Sequence, residues 1–222
     1  MKKTFFSFAA VLLFVVVIQL KIQDAAQKWN LLSIPESLLA LQEENVSDEE
    51  IRQYAVFWSE LQCFPIPENR QMESPSVFFT DTWMQERNYG GNRKHEGCDL
   101  FGEKPISGYY PVISMTDGTV EKIGWLPLGG YRIGIRGNSG TYYYYAHLTS
   151  YGDSFQEGDL VRAGEILGFL GDTGYGEEGT SGQFPPHLHV GIYIRTKESE
   201  EYPVNPYWPL KYLEDKKKIY AY

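Results

Sequence analysis

Tyr131-Arg132-Ile133-Gly134-Ile135, then Asn138-Ser139-Gly140, then Thr141-Tyr142-Tyr143-Tyr144-Tyr145-Ala146-His147: two β-favouring runs are separated by a turn of small polar residues. Tyrosine and isoleucine suit a pleated, half-buried surface. Asn-Ser-Gly bends the chain because these residues bond their own backbone or tolerate left-handed conformations. The spacing predicts a hairpin over 131–145 whose tyrosine strand carries rings on both faces. Strict alternation then puts His147, at the end of that strand, on the same face as Tyr143 and Tyr145.

Further short β runs lie on either side. Pro111-Val112-Ile113-Ser114, an Asp117-Gly118 turn and Thr119–Trp125 predict a second hairpin. Gly158–Gly168 alternates brief apolar pairs with glycines, as in compact sheets that fold back on themselves. Asp172–Gly182 is too glycine-rich for a regular element and predicts a surface loop. Since it immediately precedes Pro186-His187-Leu188-His189, it is expected to form a wall of a cleft. The run Val190–Ile194 continues an extended pattern, so His187 and His189 should share one face of a strand.

Composition agrees. At 222 residues and 42% hydrophobic the chain can bury one core plus a small appendage. Its 15% aromatic content, with 17 Tyr, 22 Gly and 12 Pro, suits a turn-rich β fold with an aromatic-lined groove better than a helical bundle. The formal charge of -9 argues against nucleic acid as a partner, since phosphates need a basic surface.

The N-terminal part reads differently. Lys2 and Lys3 precede an uncharged apolar run from Thr4 to Leu20. As a helix this run spans roughly 25 Å at about 1.5 Å per residue, enough for a membrane with the lysines snorkelling. Residues 1–21 are expected to be a membrane anchor, or a signal segment if cleaved, and the basic start places the body outside the cytoplasm. Residues 22–73 are expected to be a helical stalk: Pro35–Leu41 suggests a short helix. Ser47 and Glu50 have capping-box spacing before Ile51, Tyr54, Ala55, Trp58 and Leu61, and Pro65 and Pro67 end the run; this apolar stripe is expected to dock on the catalytic domain. Residues 74–200 would form the catalytic domain, and 201–222 a docked tail that frays at Lys216-Lys217-Lys218. Cys63 and Cys98 are the only cysteines. In an exported chain they permit one disulfide, worth about 2–4 kcal/mol. Two unpaired buried thiols fit equally well.

All four histidines fall in three short stretches: His95-Glu96-Gly97-Cys98-Asp99, Tyr145-Ala146-His147-Leu148 and Pro186-His187-Leu188-His189. Histidine is both the commonest metal ligand and a proton-transfer group near neutral pH. Gly97 disfavours a helix between His95 and Asp99. In an extended segment the two share a face, and Cys98 points away. A His-Glu-x-x-His zinc helix is excluded, because Asp99 stands where its second histidine would be.

His95-x3-Asp99, the Tyr-x-His-Leu strand end and Pro-His-Leu-His, in this order, resemble the lysostaphin/LytM-type zinc metallopeptidases. The resemblance runs from about Tyr89 to Ile194. It includes Asp117-Gly118-Thr119-Val120, Gly129-Gly130-Tyr131 and Gly171-Asp172-Thr173-Gly174. It implies an all-β catalytic domain of antiparallel sheets forming an open groove, of duplicated-hybrid or barrel-sandwich-like build. It further implies one zinc held by His95, Asp99 and His189, with His147 and His187 serving catalysis. Tyr89, six residues before His95, would hydrogen-bond the tetrahedral intermediate. The implied substrates are peptide bonds of peptidoglycan stems and cross-bridges, often next to glycine. Independently, two imidazoles and one carboxylate leave zinc a free position, as catalytic sites require. Members of this family can also act as non-catalytic scaffolds or activators of other wall hydrolases, and the stalk could serve a divisome or wall-hydrolase partner. The complete His/Asp set favours the enzyme.

Overall fold

From residue 68 onward the chain is a succession of strands. The computed structural model describes residues 57–70, 76–89, 91–196 and 199–222. The strands are β1 (Glu68–Asn69), β2 (Val77–Phe79), β3 (Glu86–Arg87), β4 (Arg93–Lys94), β5 (Cys98–Gly102), β6 (Pro111–Ile113) and β7 (Gly118–Leu126). They continue with β8 (Gly130–Gly137), β9 (Tyr142–Tyr151), β10 (Leu160–Val161), β11 (Ile166–Leu170), β12 (Leu188–Ile194), β13 (Tyr202–Val204) and β14 (Ile219–Tyr220). A helix, α1 (Tyr207–Leu213), lies between the last two. The main sheet has the order β10-β7-β8-β9-β12-β5-β2, with neighbours antiparallel, and β11 joins β9 to β6.

The tyrosine hairpin forms as expected. β8 pairs with β9 across a turn closed by Gly137 N donating to Thr141 O at 2.9 Å, with Gly140 at φ +88°. Ile133 faces Tyr145 and Ile135 faces Tyr143, and all four side chains are completely buried. They form the core face. The phenol of Tyr145 accepts from Met115 N, and that of Tyr143 donates to Glu60, so neither buried hydroxyl lacks a partner. Tyr142 and Tyr144 lie on the opposite, groove-side face.

The expected hairpin of 111–114 with 119–125 is not formed. β6 pairs with β11, whereas β7 pairs with β8 and β10. The reason is burial: Pro111, Val112 and Ile113 are buried along the whole strand and need cover on both faces. The Asp117-Gly118 turn carries the chain from one layer to the next. Its carboxylate is fixed by Ala163 N (2.8 Å) and Gln62 Nε2 (2.9 Å).

The expected anchor, and most of the expected stalk, lie outside the described residues. Among the described residues no helix is long and apolar enough to cross a membrane. Residues 57–60 are helical, the end of the run that Pro65 and Pro67 were expected to close. This end of the run packs into the domain. Phe57, Cys63, Phe64 and Ile66 are buried, β1 pairs with β14, and the described residues all belong to one compact unit, Asp48–Tyr222. Nor does the tail fray: β13 pairs with β12, α1 buries Leu210 and Leu213, and β14 completes the pair with β1. Cys63 and Cys98 are both free and buried, with burial pushing their thiols up to about 11 and about 12. That resolves the cysteine alternatives in favour of two inert thiols.

Glu60 is the polar link from the 57–60 turn to the tyrosine hairpin. Its carboxylate accepts from Ser139 N (2.9 Å), Ser139 Oγ (2.5 Å) and Tyr143 Oη (2.8 Å). Glu60→Ala strands these donors and should lower unfolding stability by about 1–3 kcal/mol in urea titrations. An unchanged midpoint would show that the turn is not an integral part of the domain.

Candidate active site

The site is made by strand register. β12 lies between β5 and β9, with His189 opposite Asp99 on one side and Ala146 on the other. Leu188 and Val190 are completely buried beneath it, so alternation turns His187 and His189 into the groove. Asp99 projects between the buried Cys98 and Leu100 of β5. His95 precedes that strand and is pinned through its own backbone: its N–H donates to Gln85 O and its carbonyl accepts from Met84 N, both at 2.9 Å. Gly97 has a steric task. A Cβ there would lie 2.3 Å from the His189 ring and 2.8 Å from Val190 O, so only glycine lets that imidazole lie against the backbone.

His95 Nε2, Asp99 Oδ1 and His189 Nδ1 converge: 3.1 Å between His95 and Asp99, 3.1 Å between His95 and His189, and 2.9 Å between His189 and Asp99. His95 Nδ1 is 3.1 Å from Thr82 O and 3.0 Å from Thr82 Oγ1, which gives its hydrogen an acceptor and leaves Nε2 facing the carboxylate. Burial pushes the Asp99 carboxyl up, but contacts from His189 and His95 hold it well below the usual carboxylate range. An ionised oxygen and two ring nitrogens this close need a cation or shared protons between them. Tetrahedral zinc with ligand bonds of about 2.0–2.1 Å would set its donors about 3.3 Å apart. The three donors fit such an ion. Arg87, whose guanidinium passes 3.0 Å from His95 Nδ1, donates at 2.8 Å to Asp99 Oδ2 and leaves Oδ1 to the cluster.

His147 reaches this pocket by a route that alternation does not foresee. Tyr131 pairs with Leu148 but Ile133 pairs with Tyr145, so β9 carries one extra residue and bulges. His147 sits in the bulge at φ +63°. The bulge removes it from the face of Tyr143 and Tyr145, where alternation predicts it, and sets it in the groove with Tyr144 and Ala146. It also does not end the strand, which runs on to Tyr151. A left-handed non-glycine residue costs about 1–3 kcal/mol, and surrounding bonds hold it there. Its N–H donates to Gly129 O and its Nδ1 to Thr173 O, both at 2.8 Å.

His187 Nδ1 likewise donates to a carbonyl, Pro185 O, at 2.8 Å. Both imidazoles therefore keep a free lone pair on Nε2. Their rings lie 4.7 Å apart, and His187 Nε2 stands 3.8 Å from Asp99 Oδ1. Burial is the main reason that both titrate low, His147 being pulled down to about 3. Both are neutral at pH 7 and able to accept a proton. They line a cavity of about 280 Å³ together with His95, Asp99, His189, Tyr175 and Phe184. The Asp172–Gly182 loop thus supplies both a wall, Tyr175, and the anchor of His147, Thr173.

Tyr89 is not brought into this cavity. Its ring stacks on Tyr175 at 4.1 Å and 7°, and its hydroxyl donates to Tyr175 O. Tyr89 thus meets the loop that walls the cavity. Arg87 and Thr82 were not foreseen, since each acts through a contact made only on folding and no spacing marks them; Thr173 stood in the Gly171–Gly174 motif without a role of its own.

A model of Peptidase family M23 matches residues 93–206. The chain is 39% identical over 152 residues to the L-Ala--D-Glu endopeptidase of Bacillus subtilis (strain 168), covering 68% of this chain and 44% of that protein. It is 36% identical over 102 residues to the glycyl-glycine endopeptidase ALE-1 of Staphylococcus capitis, covering 45% of this chain and 24% of that protein. The chain thus spans less than half the length of either relative. A crystal structure of lytM from Ruminococcus gnavus ATCC 29149 superposes with a TM-score of 0.72 at 46% identity, covering 84% of this chain and 74% of that one.

Gly97→Ala should displace the His189 ring and weaken zinc binding by about 10–100-fold in a competitive chelator titration, with the fold retained by circular dichroism. Unaltered affinity would show that the contact is slack. The histidine burial also fixes a pH dependence. His147 titrates lower folded than unfolded, so above about pH 6.5 both states hold it neutral and it contributes no slope. Between about 6.5 and its folded value near 3, only the unfolded state takes up the proton, and stability falls as pH falls. Metal-free protein should lose stability over this window, and His147→Asn should lose less. Parallel slopes for the two proteins would contradict the assignment.

Proposed function

The chain belongs to Peptidase family M23, and on that premise we propose that it is a zinc-dependent endopeptidase hydrolysing peptide bonds of bacterial peptidoglycan. The observation that carries the proposal is the convergence of His95 Nε2, Asp99 Oδ1 and His189 Nδ1 beside two further neutral imidazoles in one cavity. His95, Asp99 and His189 would hold one zinc per chain. When bound, zinc would supply Lewis acidity, polarising the scissile carbonyl and bringing the pKa of a water to about 7. His147 and His187, each with Nδ1 fixed on a carbonyl, offer Nε2 as the proton acceptor from water and, once protonated, as donor to the departing amine. The Tyr175 and Phe184 rings pack against His147 and limit its rotation.

For the scissile bond we propose the alanyl-glutamyl class, following the relative aligned over the larger share of this chain. We further propose that residues 1–21 tether the enzyme to the membrane with its catalytic domain extracytoplasmic, which the basic start and the uncharged run to Leu20 support. Five side chains in one cavity speak for catalysis rather than a scaffold.

Full-length protein loaded with zinc should release new peptide amines from purified peptidoglycan, and chelator should abolish the release. His187→Ala should keep one zinc per chain while hydrolysis falls by about 10²–10⁴-fold. His189→Ala should lose both. Equal zinc loss in the two variants would overturn the division of labour, and intact muropeptides from the zinc-loaded wild type would favour a scaffold.

A further inference from the structure

Tyr144 lines the cavity, and on the same face of the sheet the neighbouring strand β8 carries an arginine with no counter-ion among the described residues. Gly134 pairs with Tyr144, and Arg132, two residues away on the unbulged β8, shares its groove-side face. The floor around it is aromatic and flat. A Cβ on Gly134 would lie 1.9 Å from the Tyr142 hydroxyl and one on Gly129 2.2 Å from that of Tyr144, so these glycines let both rings lie across the sheet. On the far side Arg132 pairs with Gly124, which has no side chain to cover it.

Arg132 differs from its neighbour on the same face. Arg136 is held by Glu121 and Glu201, both at 2.5 Å. Arg132 is half-buried, its Nη1 is buried without a hydrogen-bond partner, and no carboxylate among the described residues pairs with it. In a chain of net charge -9 this is not for want of acids. A guanidinium loses hydration on burial and requires an anionic or carbonyl acceptor in return. By register Arg132 shares the face of Tyr142 and Tyr144, the partners of Arg136 and Gly134 on β9.

Register gives the distance to the chemistry. His189 is opposite Ala146, and Arg132 lies across the Ala146–His147 bulge, so Arg132 and His189 are two strands apart at the same level of the sheet. Two strand spacings are about 10 Å, the length of about three extended residues. We propose that Arg132, on the tyrosine floor of β8 and β9, is a specificity site for a substrate carboxylate within three residues of the scissile bond. This rests on the endopeptidase function proposed above and deepens it: the preferred peptide is acidic beside the cut, and a run of neutral glycines leaves Arg132 unsatisfied.

Two synthetic peptides with the same alanyl-glutamyl bond test it, one with the glutamate carboxylate free and one with it amidated. Hydrolysis is followed with full-length zinc-loaded protein, and binding by calorimetry in the His187→Ala background. The wild type should prefer the free carboxylate by about 10–100-fold in kcat/KM. Arg132→Gln should lose that factor on the acidic peptide alone, keeping its activity on the amide, and Arg132→Lys should restore part of it. Equal treatment of the peptides by the wild type, or a preference that survives in Arg132→Gln, overturns the site while leaving the endopeptidase intact. Acid-selective binding that Arg132→Gln abolishes, without hydrolysis of either peptide, keeps the site and overturns the endopeptidase; absence of both binding and hydrolysis overturns both. The activity of Arg132→Gln on the amide serves as its folding control.

Discussion

The chemistry of this protein depends on the register of one strand. β12 is hydrogen-bonded to β5 and β9, and its pairing sets His189 beside Asp99 while Leu188 and Val190 fill the core below. A slip of one residue would turn both histidines of His187-Leu188-His189 into the apolar layer and bring the leucine into the groove. The burial that stabilises the sheet therefore also fixes the donor atoms. Gly97 closes the arrangement, because any side chain there would occupy the space of the His189 ring.

Two backbone irregularities adjoin this register. β9 bulges where His147 must turn into the groove, and the left-handed residue is held by Gly129 and Thr173. The loop that supplies Thr173 also supplies Tyr175, itself at φ +58°. Both left-handed residues, His147 and Tyr175, line the cavity. Neutral histidines and an ionised aspartate coexist within a few ångströms because burial disfavours charge on the two imidazoles, while hydrogen bonds preserve it on Asp99.

Much of this was legible in the sequence. Alternation around the Asn138-Ser139-Gly140 turn gave the β8–β9 hairpin, and the His187/His189 spacing gave their common face. Gly97 correctly spoke against a helix between His95 and Asp99. Alternation failed at His147, because a bulge is set by what the extra residue must bond to, and Gly129 and Thr173 are distant in the chain. It failed too for β6, whose buried faces need cover from β11 rather than from the strand that follows it. The burial of Phe57, Phe64 and Ile66 was not legible, because they lie before the first β runs and their partners in the sheet and tail are distant in the chain.

The central claim is that His95, Asp99 and His189 together hold a single zinc in the groove, and X-ray absorption at the zinc edge of the loaded protein tests it most directly. Two imidazole nitrogens with oxygen ligands, all at about 2.0–2.2 Å, are the predicted result. A sulfur shell at about 2.3 Å, which would implicate Cys63 or Cys98, or a spectrum without imidazole, would contradict it.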